Sequence, residues 1–306
     1  MSNVYIVAAK RTPLGSFLGS LKDTSSVELA STVIQSILRE TDVDSRDLDE
    51  VVLGNVLPAG QGQGIARQAS IKAGIDVSVP AYSVNMVCGS GMKSVMLAYT
   101  AISAGLQKLV IAGGTESMSQ SPYLLPASVR SGTKMGEFAA KDHMLNDALF
   151  DSFEGYHMGV TAENVAERYH ITREQQDSFA WDSQQKALKA IDAGRFKDEI
   201  VPVSIQVRRE TVIFDTDEFP NRKTTPEKLA GLRTAFKKDG TVTAGSSSGI
   251  NDGASAVLLA NDAMIEKYGL KPLVKIVGIG QGGVEPSVMG LGPTVAVRHA
   301  LTFAGL

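Results

Sequence analysis

NMVCGSGMKS, residues 85 to 94, carries the only cysteine in a chain of 306 residues. It follows the strand-like run AYSVNMV (81 to 87) and opens a segment in which Met92, Val95, Met96, Tyr99 and Ile102 recur at helical spacing. Gly105 ends that helix, and KLVIAGG (108 to 114) returns as a strand. Cys88 is therefore predicted at a strand-to-helix junction inside a β-α-β unit.

The same alternation extends toward the N-terminus. YIVAA (5 to 9) and VVLGNV (51 to 56) are strand-like, with helical segments at 26 to 40 and 64 to 74. In the first of these helices Ser25 and Glu28 have capping-box spacing, and Val27, Ala30, Val33, Ile34, Ile37 and Leu38 form one apolar face. Such alternation predicts an α/β fold on a parallel sheet. Between about 119 and 160 it stops, in a run scattered with Gly, Pro and Ser. Helices are expected again at TAENVAERYH and at TREQQDSFAWDSQQKALKAIDAG, where Thr172 and Gln175 make a second capping box. IVPVSIQV (200 to 207) reads as a strand, followed by a polar stretch to about 240. TVTAGSSSGINDGASAVLLAN (241 to 261) returns to the main sheet, and PLVKIVGIG (272 to 280) starts a fresh strand before the helical segment TVAVRHALTFA. A second βα half thus begins with a single unit. A sheet that short would leave an edge and a face uncovered, so part of the natural fold is expected to lie outside these 306 residues.

Composition narrows the function. Apolar residues at 43% and charged residues at 21% suit a globular chain, and 30 Lys and Arg against 33 Asp and Glu leave a formal charge of -3. No basic field exists to hold nucleic acid or an anionic membrane, so an anionic ligand must be caught locally. The N-terminal apolar run VYIVAA is short, with its basic residues after it, which does not fit a signal peptide, and no run is long enough for a membrane helix. One cysteine forms no internal disulfide, which suits a reducing, cytoplasmic compartment. The glycines follow no nucleotide-binding pattern, and one Cys with four scattered His gives no zinc spacing.

A helix N-terminus presents unpaired N–H groups and a partial positive charge that favour a thiolate there. Gly89, Ser90 and Gly91 remove bulk beside the sulfur, allow unusual backbone angles and let a carbonyl approach backbone donors. This is the design of an acyl-accepting nucleophile; the alternative is a buried structural cysteine.

NMVCGSGMKS resembles the nucleophile segment of the thiolase family, and GGTESMS (113 to 119), YHMGVTAENVAE (156 to 167) and TAGSSSGINDGASAV (243 to 257) resemble further thiolase motifs in the same order. The likeness runs from VAAKRTPLG to VMGLGPTVAVRHAL. It implies two similar βα halves, with an inserted loop domain that binds coenzyme A. The N-terminal domain would then be residues 1–118 with 250–270, the inserted domain 119–249, and the start of an incomplete C-terminal domain 271–306. By the resemblance, Cys88 accepts the acyl group. His157 and Met158 follow the short-chain pattern and border the acyl and pantetheine pocket, Ser248 and Gly249 lie along the pantetheine arm, and Phe236 is an aromatic near it. Read without the family, His157 is a structural histidine, Phe236 a core residue and Ser248 a loop residue bonding its own backbone. Arg222 with Lys223, and Lys237 with Lys238, are candidates for the nucleotide phosphates or else solvated surface pairs. SPYLLPASVRSGTKMGEF occupies the place of the family's assembly loop, which implies a homodimer or homotetramer. No cofactor is held permanently; coenzyme A thioesters, acetyl-CoA and acetoacetyl-CoA, are the substrates the resemblance implies.

Three thiolase features of the second half, an Asn-Glu-Ala-Phe motif, a Gly-His-Pro motif and a second cysteine, are not among these residues. The expectation is a thiolase cut within its second domain: the full protein condenses two acetyl-CoA or runs the reverse thiolysis, and this chain alone acylates Cys88 weakly without completing turnover. Two other readings are a non-catalytic thiolase-like subunit that binds coenzyme A or pairs with other chains, and a ketoacyl-synthase-type condensing enzyme using acyl carrier protein. YHMG, GSSSGIND and the long insertion stand against the second.

Overall fold

The structure, a computed structural model, describes residues 2–306. Its elements run in the order β1 (Tyr5–Arg11), β2 (Gly15–Ser16), α1 (Ser26–Thr41), β3 (Glu50–Gly54), α2 (Ile65–Lys72), β4 (Ala81–Val84), α3 (Ser90–Ser103) and β5 (Leu109–Ser117). Then come β6 (Tyr123–Leu124), β7 (Lys141–Asp142), α4 (Met158–Arg168), α5 (Arg173–Asp192), β8 (Val203–Val207), β9 (Glu210–Phe214) and α6 (Pro226–Ala230). The chain closes with β10 (Asn251–Ala260), α7 (Asp262–Tyr268), β11 (Val274–Lys275) and α8 (Gly292–Ala304). Two compact units divide them: Met1–Leu149, Glu199–Asp215 and Asn251–Ile276 form the first, and Phe150–Asp198, Thr216–Ile250 and Val277–Leu306 the second.

The first unit is built on a sheet in the order β11-β1-β10-β5-β3-β4, with β2 beside β10. The expected parallel pairing holds for β3 with β4 and with β5, but β10 is antiparallel to both its neighbours, so the sheet is mixed. The reason lies in where the long insertion departs and returns. β5 ends at Ser117, and β10 starts beside it, with Asp252 opposite Ser117 and Ala260 opposite Leu109. A strand that re-enters at the end where its predecessor left must run the other way.

On one face the sheet buries Leu53, Leu109, Ile111, Ala256 and Leu258 against Leu29, Val33, Ile34 and Ile37 of α1, with Val203 and Ile205 of β8 in the same core. The alternate residues Val52, Val110, Ala112 and Leu259 are also buried and point to the opposite face, where Ala98, Tyr99 and Ile102 of α3 are buried. The capping box of α1 forms as its spacing predicts: Glu28 N–H donates to Ser25 Oγ at 3.2 Å and Ser25 N–H to Glu28 Oε2 at 3.1 Å. Asp42, in the left-handed region at φ 51°, ends the helix. The stretch read as polar after β8 contains β9, which closes a hairpin through the two residues Arg208 and Arg209.

The fresh strand expected over 272 to 280 is reduced to Val274–Lys275, paired antiparallel on the outer side of β1. In the second unit Gly278, Gly280 and Gly282, spaced two apart, lie against α8; a methyl at Gly278 would stand 2.5 Å from the Ala300 carbonyl oxygen. The segment is spent on close contact with a helix. In this unit α5 also keeps its predicted capping box, Gln175 N–H donating to Thr172 Oγ1 at 3.3 Å and Thr172 N–H to Gln175 Oε1 at 2.9 Å. Among the described residues no helix is long and apolar enough to cross a membrane.

Candidate active site

Cys88 is exposed and lies one residue before Gly89, the cap position of α3. Glycine has no side chain to cap that helix, so the end is left open to a ligand. The turn that presents the sulfur is tightly tied. Val87 N–H donates to Asn85 Oδ1 at 2.9 Å, Met86 N–H to Ser90 Oγ at 2.8 Å, and the Ser90 hydroxyl to the Val87 carbonyl at 2.5 Å. Gly89 and Ser90 N–H groups turn back to Met86 and Val87 at 3.1 and 3.0 Å. The unusual backbone angle expected of the glycines falls instead on Val87, whose φ is +49°, while Gly89 has φ −81°. A β-branched residue in the left-handed region stores about 1–3 kcal/mol, and the hydrogen bonds around it hold that strain in place. Ser90, read from sequence only as a small residue, is buried and braces the elbow.

Glycines set the height of α3 above the sheet. A methyl at Gly54 on β3 would stand 2.5 Å from Gly91 N and from the Ser90 carbonyl carbon, and one at Gly114 on β5 would stand 3.4 Å from Gly91 Cα. Ser94 Oγ donates to the Gly113 carbonyl at 2.8 Å, pinning the next turn to β5. Gly54→Ala must lift backbone, not a flexible side chain, so we expect a loss of about 3 kcal/mol in urea unfolding and a slower alkylation of Cys88 by iodoacetamide. Unchanged values for both would show that α3 can shift freely.

The remaining candidates lie in the second unit. His157 caps α4: its Nδ1 accepts the Gly159 N–H at 3.0 Å. The imidazole stacks on Phe236, with centroids 4.7 Å apart and planes 15° apart, and meets Phe150 edge-on at 5.8 Å and 81°. Met158 opens α4 beside it, partly buried. Gly159 can only be glycine, because a methyl there would fall inside the Phe236 ring. Burial pushes the His157 pKa below its ordinary value. The unfolded chain then takes up a proton at higher pH than the folded one, so this unit should lose stability as pH falls from about 6.5 toward the folded pKa, and no more below it. His157→Asn keeps a capping acceptor but does not titrate, and denaturation at several pH values should show a flatter slope over that window.

The loop bearing Phe236 is clamped by a residue that sequence reading placed on a helix without a role. Glu163 of α4, 4% exposed, accepts the Thr241 N–H at 2.8 Å, the Thr241 hydroxyl at 3.0 Å and the Val242 N–H at 2.8 Å. Ala235 N–H to the Val242 carbonyl, 3.0 Å, closes the loop. Downstream, Ser246 and Ser247 bond back to Thr243, whereas Ser248 is exposed and Gly249 half-buried. Arg222 is exposed and forked onto Asp192 at 2.5 and 3.1 Å, at an open groove of about 740 Å³ that Trp181 and Lys189 also line. Among the described residues no group of three or more His, Cys, Asp and Glu is placed to hold a metal.

Comparison with known proteins gives the site its context. The model of the thiolase N-terminal domain family matches residues 4–263. The chain is 51% identical to an acetyl-CoA acetyltransferase of Pseudomonas aeruginosa over 306 residues, all of this chain and 78% of the relative. It is 54% identical to one of Chromobacterium violaceum over 303 residues, 99% of this chain and 77% of that one. It also superposes on the crystal structure of the Bacillus anthracis acetyl-CoA acetyltransferase with a TM-score of 0.96 at 43% identity, covering 100% of this chain and 77% of that chain.

Proposed function

The chain belongs to the thiolase family and is an acyltransferase of it, and from that premise we propose that Cys88 takes the acetyl group of acetyl-CoA. The sulfur attacks the thioester carbonyl, the new C–S bond forms on Cys88, and coenzyme A leaves as its thiol with the proton the cysteine gave up. In the full reaction a second acetyl-CoA loses an α-proton to a base and its α-carbon attacks the acetyl carbonyl, which breaks the C–S bond to Cys88, returns the thiol and releases acetoacetyl-CoA. In the thiolytic direction the coenzyme A thiol attacks the acyl group and its proton passes to the Cys88 sulfur. This chain alone stops at the acylated Cys88. The observation that carries this reading is the exposed cysteine held by a strained, hydrogen-bonded turn at the uncapped end of a helix. Whole-chain identity to acetyl-CoA acetyltransferases weighs against a carrier-protein condensing enzyme and against a non-catalytic subunit.

His157, Met158, Phe236, Ser248 and Gly249 receive the pantetheine arm. Support comes from the imidazole–phenyl stack, which offers an apolar wall, and from the loop that presents Ser248 to solvent. Arg222 meets a phosphate by exchanging its Asp192 partner for the ligand. The loop between β6 and β7, with exposed Leu125, Met135 and Phe138, supports assembly into homodimers or homotetramers, and the lone cysteine supports a cytoplasmic setting.

The test is the intact mass of the chain after incubation with acetyl-CoA. A gain of one acetyl group, removed by added coenzyme A, supports the reading. A chain that keeps its starting mass, while the same acetyl-CoA acylates a related acetyltransferase, refutes it.

A further inference from the structure

His157 and Phe150 close a short turn. They form an isolated antiparallel pair, Asp151 N–H donates to the Tyr156 carbonyl at 2.8 Å, and Gly155 N–H returns to the Asp151 carbonyl at 2.9 Å. Asp151 Oδ1 accepts Phe153 N–H at 3.0 Å and Glu154 N–H at 2.8 Å, and Gly155 supplies a φ of +71°. The turn thereby sets the Phe150 ring against one edge of the imidazole while Phe236 covers its face.

We propose that His157 presents Nε2–H as a hydrogen-bond donor to a carbonyl oxygen of the pantetheine arm, and that Phe150 is the positioning residue that aims it. This rests on the coenzyme A reading of the site and deepens it. A backbone N–H can only donate, so the Gly159 bond requires a bare Nδ1 and leaves the ring proton of the neutral imidazole on Nε2. Nδ1 is thereby occupied and Nε2 is the one ring atom left to meet a ligand. Stacking by Phe236 and edge contact by Phe150 restrict both the tilt and the rotation of the ring. Burial among these rings disfavours the imidazolium. An uncharged donor lacks the charge-assisted strength of a cation toward phosphate, so His157 is better suited to the amide and thioester part of coenzyme A, with the diphosphate left to cationic side chains.

The test combines two measurements on the 306-residue chain. In ¹⁵N-histidine-labelled protein at neutral pH, with the His157 signals assigned by their loss in His157→Asn, we expect Nε2 at a protonated shift and Nδ1 at a bare one. In calorimetric titration with coenzyme A, Phe150→Leu should bind about five- to tenfold more weakly than wild type. The exposure of Phe150, 43%, predicts a nearly unchanged melting temperature for that variant. Wild type that binds coenzyme A but carries its proton on Nδ1, or that is matched in affinity by Phe150→Leu, overturns the proposal alone. Wild type that takes up no coenzyme A overturns the coenzyme A reading of the site and this proposal with it.

Discussion

Cys88→Ala is expected to leave an incubation with acetyl-CoA at its starting mass, with its unfolding transition unmoved. The side chain is exposed, so the change should cost no more than about 0.5 kcal/mol. The strain at Val87 and the bonds from Asn85 and Ser90 involve backbone and neighbouring side chains, so the elbow itself survives the loss of sulfur. Cys88→Ser is the sharper variant. It keeps the shape and the helix end, but a hydroxyl is far harder to ionise than a thiol. Removing a nucleophile of this kind lowers rates by about 10⁴–10⁶. Acetylation of the serine variant at the wild-type rate would mean that the acetyl group lands elsewhere, and peptide mapping would find where.

Glu163→Ala should strongly destabilise the second unit. The carboxylate satisfies two backbone N–H groups, of Thr241 and Val242, and Val242 is itself buried. Truncation leaves those donors unpaired at about 1–3 kcal/mol each, so a loss of about 3–5 kcal/mol is expected in urea denaturation. Glu163→Gln retains one acceptor oxygen and should fall near half of that. Because the same loop carries Phe236, coenzyme A affinity should drop in step with stability across the two variants. Full stability of the alanine variant would show that water replaces the carboxylate.

These two residues differ in how openly the sequence announces them. Cys88 stands out because strand, cysteine, small residues and helix succeed each other in a pattern that chemistry explains. Glu163 sits on a helix where a charged residue reads as solvent-facing, and only the return of residues 241 and 242 buries it. Local signals were legible throughout: both capping boxes form, and the ends of α1 and α3 fall within a residue or two of where periodicity places them. What depends on distant partners was not. The antiparallel run of β10 follows from where the insertion returns, and β9 escaped because its turn is Arg208-Arg209, not the Asn-Gly that marks a two-residue hairpin. Phe150 lies outside every recognisable motif, and its role appears only once the turn to His157 has closed.

The re-entry of β10 also bears on how the chain comes off the ribosome. Tyr5 pairs with Ala260 and Arg11 with Ser255, so β1 waits until the whole insertion has been made before its central neighbour exists. At about 5–20 residues per second that wait is on the order of ten seconds or more, during which the edges of β1 and β5 that will flank β10 stay bare. Contacts so distant in sequence also slow refolding of the finished chain. The first unit should therefore be the stage of biogenesis most dependent on chaperones, and most exposed to aggregation when synthesis stalls within the insertion.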